Sequence, residues 1–266
     1  MPFISSVRGS YGAQGRFGKA IFPAIDNLGI SGLIYRTNFI SNTFNFAPET
    51  TSLVGNGYSR FSTGGLDNGP YFQMTNITTG TPPGGYGQSN RADFPIDPTY
   101  FSNLDVSYSF WTTAASSTNG PNNTIVSLFG GHSSQGGIGV WTTAQGGSAS
   151  SSCSVTVANV YEQYNWNLSG TGTFDHIVVV YSRNGNGLLG GSRNTARVYK
   201  NGSLASTVVA PETAGNIGMI GTNTGHLGAR PDNANEQGNW KISNLRIFNK
   251  VLTSGEIATL YNARTN

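Results

Sequence analysis

The sequence predicts an all-β protein, an antiparallel sandwich of two sheets, and three observations carry that expectation. The 266 residues include 37 glycines and 11 prolines, which disfavour helices and favour short strands joined by many turns. Aromatic and β-branched runs recur at intervals of roughly 8–12 residues, the spacing of sandwich strands. Asn201-Gly202 lies between two such runs. A two-residue hairpin turn needs φ > 0 twice, and Asn-Gly meets that demand with least strain.

Taken in order, residues 1–30 alternate glycine with aromatic and basic side chains, as in Arg8-Gly9-Ser10-Tyr11-Gly12 and Arg16-Phe17-Gly18-Lys19. A segment so rich in glycine cannot build a core of its own. It reads either as a flexible leader or as an anchoring arm whose Arg8, Tyr11, Arg16, Phe17, Lys19 and Phe22 dock on a partner. The chain thus divides into an arm, 1–30, and a sandwich, 31–266.

Within the sandwich, Leu33, Tyr35, Phe39, Phe44 and Phe46 begin the strand material, and Tyr71-Phe72-Gln73-Met74 follows the turn at Asp67-Asn68-Gly69-Pro70. Residues 78–98 form the longest unpatterned loop, with Tyr86 and Arg91 as candidate contacts. Val106, Tyr108 and Phe110 alternate with Ser107, Ser109 and Trp111, which gives that strand two faces. Further strands are expected near Thr124 to Phe129, Gly137 to Thr142, Val155 to Val157 and Phe174 to Tyr181. Between Ile242 and Leu245 the period of two slips by one residue, which predicts a bulge at Ser243-Asn244. Thr253 with Glu256 three residues on is a capping box, and Ile257, Leu260 and Tyr261 follow at helical spacing.

Charged residues are only 10% of the chain, against a usual roughly 25%, so the surface must be solvated by hydroxyls and amides. The net charge of +3 resides in Arg8, Arg16 and Lys19, and the rest of the chain balances. A single cysteine, Cys153, excludes an internal disulfide. The N-terminus does not read as a signal peptide, and no window reaches the roughly 18 apolar residues of a membrane span. Synthesis in the cytosol is therefore expected.

The ordered set Val106…Phe110-Trp111, Ile125…Phe129, Phe174…His176-Ile177-Val178-Val179-Val180-Tyr181, Val198-Tyr199-Lys200-Asn201-Gly202, Ile220-Gly221 and Ile242…Phe248-Asn249…Leu252-Thr253…Glu256-Ile257…Leu260-Tyr261 resembles the laminin-G-like group. The resemblance spans roughly residues 31–264 and implies a concanavalin A-like jelly roll. The chain departs from the pattern at Phe174-Asp175, where the group usually has tryptophan just before the histidine. Residues 1–16 resemble leaders of structural proteins from marine phages and large viruses. That second resemblance implies a virion location.

A glycosidase needs two carboxylates about 5–9 Å apart. Glu49, Glu162, Glu212, Glu236 and Glu256 stand singly, and Glu256 is explained as a cap. His132, His176 and His226 have no nucleophile elbow near them, so no enzyme is expected. Saccharide recognition needs aromatic platforms beside turns, and Tyr86, Trp141, Tyr164 and Trp166 are the candidates; Trp111 and Trp240 read as packing. The resemblance also implies a structural Ca²⁺, for which Asp232, Asn233, Asn235 and Glu236 are the clustered oxygens. A solvated turn explains the same residues, so no cofactor is expected. The arm's interleaved basic and aromatic residues match a single-strand nucleic-acid pattern, but three charges supply only a weak, salt-sensitive term.

The expected function is a non-enzymatic viral or phage structural protein, held by its arm to a capsid or tail protein of the same particle. Its sandwich would face outward for decoration or for adhesion to a host-surface glycan. The alternative is a free glycan-binding module; a homo-oligomer is compatible with either.

Overall fold

A computed structural model of the chain describes residues 24–25, 28–37, 54–55, 60–62, 66–68, 71–73, 92–95, 105–113, 118–119, 123–132, 136–142, 152–157, 166–170, 172–182, 195–209, 224–227, 237–238 and 241–264. Among these residues the strands form two large antiparallel sheets and a two-stranded ribbon. The first large sheet runs in the spatial order Ala24–Ile25, Ser31–Thr37, Lys241–Phe248, Val106–Thr112, Asp175–Ser182, Thr195–Lys200, Ser203–Val209. Tyr71–Gln73 also pairs with Lys241–Phe248 and carries Arg60–Ser62 beside it. The second sheet runs Trp166–Asn167, Ser152–Val157, Gly136–Thr142, Asn123–His132, Thr224–Leu227, Ala92–Pro95, Val54–Gly55. The all-β antiparallel expectation holds, with one short helix, Ser254–Asn262, near the C-terminus.

The middle of the first sheet is buried on both faces. Val106, Tyr108 and Phe110 pair with Tyr181, Val179 and Ile177, so these six share one face. All of them are buried, and the Tyr108 and Phe110 rings stack at 6.2 Å. The other face carries Ser107, Ser109 and Trp111 opposite Val180, Val178 and His176. The alternation foretold two faces but not that the serine face is also dry. The C-terminal segment covers it: Leu252, Ile257 and Leu260 pack with Ile30, Leu33, Val178, Val180, Tyr199 and Phe248. The Ser107 hydroxyl is satisfied there, donating to the Lys250 carbonyl at 2.7 Å and accepting from the Leu252 N–H at 3.1 Å.

Three local expectations are borne out. Asn201 and Gly202 have φ of 51° and 80°, and the strands on either side pair as a hairpin. Thr253 and Glu256 form a reciprocal capping box, with the Glu256 N–H donating to Thr253 Oγ1 and Glu256 Oε2 accepting from the Thr253 N–H. Asn244 takes a φ of 50°, and the register against Val106–Thr112 shifts between Ser243↔Trp111 and Arg246↔Ser109. That single extra residue keeps both Ile242 and Leu245 fully buried.

Ala24–Ile25 pairs with Ser31–Thr37, and Ile30 is buried in the cluster under the helix. The sandwich therefore begins a few residues before position 31. At Gly32 the φ is 85°, and a Cβ would stand 2.9 Å from the Asn249 side chain, so this crossing needs glycine. The other arm residues, among them Arg8, Tyr11, Arg16, Phe17, Lys19 and Phe22, lie outside the described residues.

Candidate ligand-binding cleft

The start of the Asp175–Ser182 strand anchors the site. Asp175 is buried yet fully occupied: its carboxylate accepts from the Ser169 N–H at 2.6 Å, the Ser169 hydroxyl at 2.8 Å and Asn201 Nδ2 at 2.8 Å. Lys200 Nζ stands 3.4 Å away and also donates to the Asn167 carbonyl. Asn201, in turn, accepts from the His176 N–H at 2.9 Å and donates its own N–H to the His176 carbonyl at 2.9 Å. The hairpin turn and the strand start are thus locked together by a buried acid. Such an acid is tolerable only because every neighbour answers it.

Next to this lock lies an aromatic stack. The Trp111 ring is 4.9 Å from the His176 ring and 5.8 Å from the Tyr261 ring, the latter at an angle of 18°. Gly202 faces Tyr261 closely enough that a Cβ would approach the ring to 3.3 Å, so glycine serves both the turn and the packing. The Arg264 guanidinium lies over Trp111 and Tyr261, at 5.6 and 5.8 Å from their centroids. Its backbone carbonyl accepts from Asn244 Nδ2 at 2.9 Å, so the bulge residue fixes where Arg264 leaves the helix.

His176 is part of this stack and is no acid–base group at neutral pH. Its Nε2 is 2.8 Å from the Ser109 hydroxyl, and its Nδ1 has no hydrogen-bond partner. Burial, with Arg246 nearby adding positive charge, pushes its pKa down to about 3.

These parts enclose a cleft of about 370 Å³. Its walls are aromatic (Trp111, Phe174, Tyr261) and its polar groups include Asp67, Ser169, Asn201 and Arg264. Phe174 is half-buried and meets Tyr71 edge-on at 6.5 Å. Asp67 is exposed and holds a left-handed backbone, φ 48° and ψ 39°, of the kind that accumulates at ligand sites. The volume and the mixture of flat apolar and hydrogen-bonding surface suit a small polar ligand with apolar faces.

Tyr86, Tyr164, Asp232, Asn233, Asn235 and Glu236 lie outside the described residues. Trp141 and Trp166 are in the second sheet, where the pairings Trp141↔Ser154 and Cys153↔Trp166 set them one residue out of phase across the intervening strand. Among the described residues no three His, Cys, Asp or Glu side chains converge as a metal site would require. No helix among them is long and apolar enough to cross a membrane.

A two-sheet antiparallel sandwich with a capping C-terminal helix and an open polar cleft defines a concanavalin A-like module. The chain belongs to the concanavalin A-like lectin/glucanases superfamily, whose laminin G model matches residues 86–258. No curated protein matches it in sequence. Among solved structures it is similar to the receptor-binding domain of botulinum neurotoxin type G, with a TM-score of 0.58 and 14% identity over 87% of this chain and 51% of that one. It is similar to the binding domain of botulinum neurotoxin DC in complex with SialylT, with a TM-score of 0.59 and 14% identity over 90% and 53%. A botulinum neurotoxin type C structure, described as depending on two ganglioside molecules for cell entry, gives 0.58 and 17% over 88% and 52%. The chain spans about half the length of these structures, and identities so low speak for the shared fold alone.

Proposed function

We propose that this chain is a non-enzymatic adhesion module that recognises a saccharide in the cleft beside Tyr261. The carrying observation is the cleft itself: aromatic walls from Trp111, Phe174 and Tyr261 stand next to hydrogen-bonding groups from Asp67, Asn201 and Arg264. Sugar rings present apolar C–H faces and polar hydroxyl edges, which such a surface complements. The sialyl and ganglioside ligands of the fold neighbours agree with this reading without carrying it.

A hydrolytic role is the competing reading, because Asp67 and Asp175 both line the cleft. Asp175 argues against it. All the oxygens it could use for acid or base work are taken up by Ser169, Asn201 and Lys200. Titrating an array of neutral and acidic glycans should give binding that Phe174→Ala weakens by on the order of tenfold, or about 1.4 kcal/mol, with little change in melting temperature. Undiminished binding by Phe174→Ala would move the site away from this cleft.

The same reading docks the module on a capsid or tail protein of a virion through the part of the N-terminal arm ahead of Ala24–Ile25. The confinement of the excess positive charge to Arg8, Arg16 and Lys19, interleaved with Tyr11 and Phe17, favours an anchoring segment. An extended arm can add main-chain hydrogen bonds to a partner sheet while its aromatics fill pockets. Deleting residues 1–20, which spares Ala24–Ile25, should abolish incorporation into particles while circular dichroism and melting stay as in the full chain. Normal incorporation of the shortened chain would refute the anchor.

A further inference from the structure

We infer that the saccharide taken by this cleft carries a single negative charge, received by the Arg264 guanidinium; the inference rests on the saccharide reading given above. Other charges are already spent. Asp175 and Lys200 neutralise one another at 3.4 Å, and Lys250 is engaged with Glu256 at 2.5 Å. Lys241 lies over the Tyr71 ring, 5.1 Å from its centroid. Arg264 is different. Its guanidinium lies over two ring faces and donates no hydrogen bond to any of the described residues, yet it lines the cleft and is exposed.

A guanidinium resting on ring faces keeps its five N–H donors for other partners, because the π contact uses its plane and hydrogen bonding uses its edge. Its position is also fixed. Two rings hold the head, and the Asn244 side chain holds the backbone carbonyl at 2.9 Å. A fork that is placed and donates to none of the described residues is suited to bidentate capture of an oxyanion.

Asp67 sets the limit on that anion. It is exposed, lines the same cleft, and has no ion-pair partner among the described residues. A second negative charge on the ligand would meet the Asp67 carboxylate rather than a cation. Hydroxyl groups, by contrast, donate well to Asp67. The two requirements together describe a sugar with one carboxylate or one sulfate half-ester and free hydroxyls. A phosphate monoester dianion or a densely charged polyanion is disfavoured.

The test titrates the full chain with four methyl hexosides: neutral, 6-carboxylate, 6-sulfate and 6-phosphate. The carboxylate or the sulfate form should bind at least tenfold tighter than the neutral one, and which of them does so identifies the source of the charge. The phosphate should bind more weakly than either at pH 8, where it is dianionic. Arg264→Gln should bring the preferred acidic sugar down to the neutral level, and Arg264→Lys should restore part of the preference. Asp67→Asn, which tolerates the left-handed backbone, should improve phosphate binding several-fold. A preference that survives Arg264→Gln, or a neutral sugar that binds best, overturns the inference while leaving the saccharide reading intact. Failure of all four sugars and of the wider glycan array removes the saccharide reading itself.

Discussion

Replacing Trp111 by alanine is expected to destabilise the domain by about 3–5 kcal/mol, the cost of emptying a large buried aromatic site. Trp111 is 2% exposed and sits in a central strand, paired on one side with His176 and on the other with Ser243. Neither neighbouring strand can collapse inward, because each is tied by its own ladder, so the cavity would persist. The Tyr261 and Arg264 side chains rest on this ring, and without it the wall of the cleft loses its backing. Ligand binding should therefore fall together with stability. Trp111→Phe, which keeps a ring in place, should cost markedly less and retain binding. Urea unfolding followed by circular dichroism measures the difference. A Trp111→Ala chain as stable as the parent would show that the stack contributes no packing.

Acidification should weaken the protein well above the range in which carboxylates titrate. Unfolded His176 takes up a proton below its ordinary value of 6.5, whereas the buried imidazole stays neutral down to about 3. Between those limits the unfolded chain binds more protons, so stability rises with pH. It is complete above pH 6.5 and is lost progressively toward pH 3. The full shift corresponds to something of the order of 4–5 kcal/mol at the acid end. Glu256 adds to the loss further down. Partial burial raises its pKa, but hydrogen bonds from Lys250 and Thr253 lower it more, so its contribution fades as pH drops through its depressed folded value. His176→Gln should flatten the stability profile between pH 6.5 and 4, measured by urea unfolding at each pH. An unchanged slope would assign the acid sensitivity to other groups.

What the sequence disclosed was local in character. Asn201-Gly202, Thr253 with Glu256, and the slip before Leu245 are devices whose residues are neighbours in the chain, so their geometry is written in spacing alone. The strand Val106–Thr112 was legible for the same reason, through its period of two. The cleft was not legible, because Leu66, Asp67, Trp111, Ser169, Phe174, Asp175, Asn201, Tyr261 and Arg264 come from segments far apart in the chain. Asp67 reads as an ordinary turn residue and Tyr261 as an ordinary helix contact. One signal was available: an acid, Asp175, at the head of a run of β-branched residues, where a buried charge demands partners. Trp111 was expected to pack inside and does, yet it also lines the cleft.

The strand Lys241–Phe248 lies between Ser31–Thr37 and Val106–Thr112, although it is the last strand among the described residues. Its partner Thr37 is separated from Leu245 by some 200 residues of chain. During synthesis, then, the early strands wait with a gap between them until positions beyond 248 leave the ribosome. Contacts so distant in sequence make for slow folding, since the loop must close before any of them is rewarded. Tyr35 and Tyr108 flank the gap and end up wholly inside. Unpaired strand edges in a partly folded chain are prone to aggregation. A central strand placed so late ties closure of the first sheet to the emergence of Lys241–Phe248.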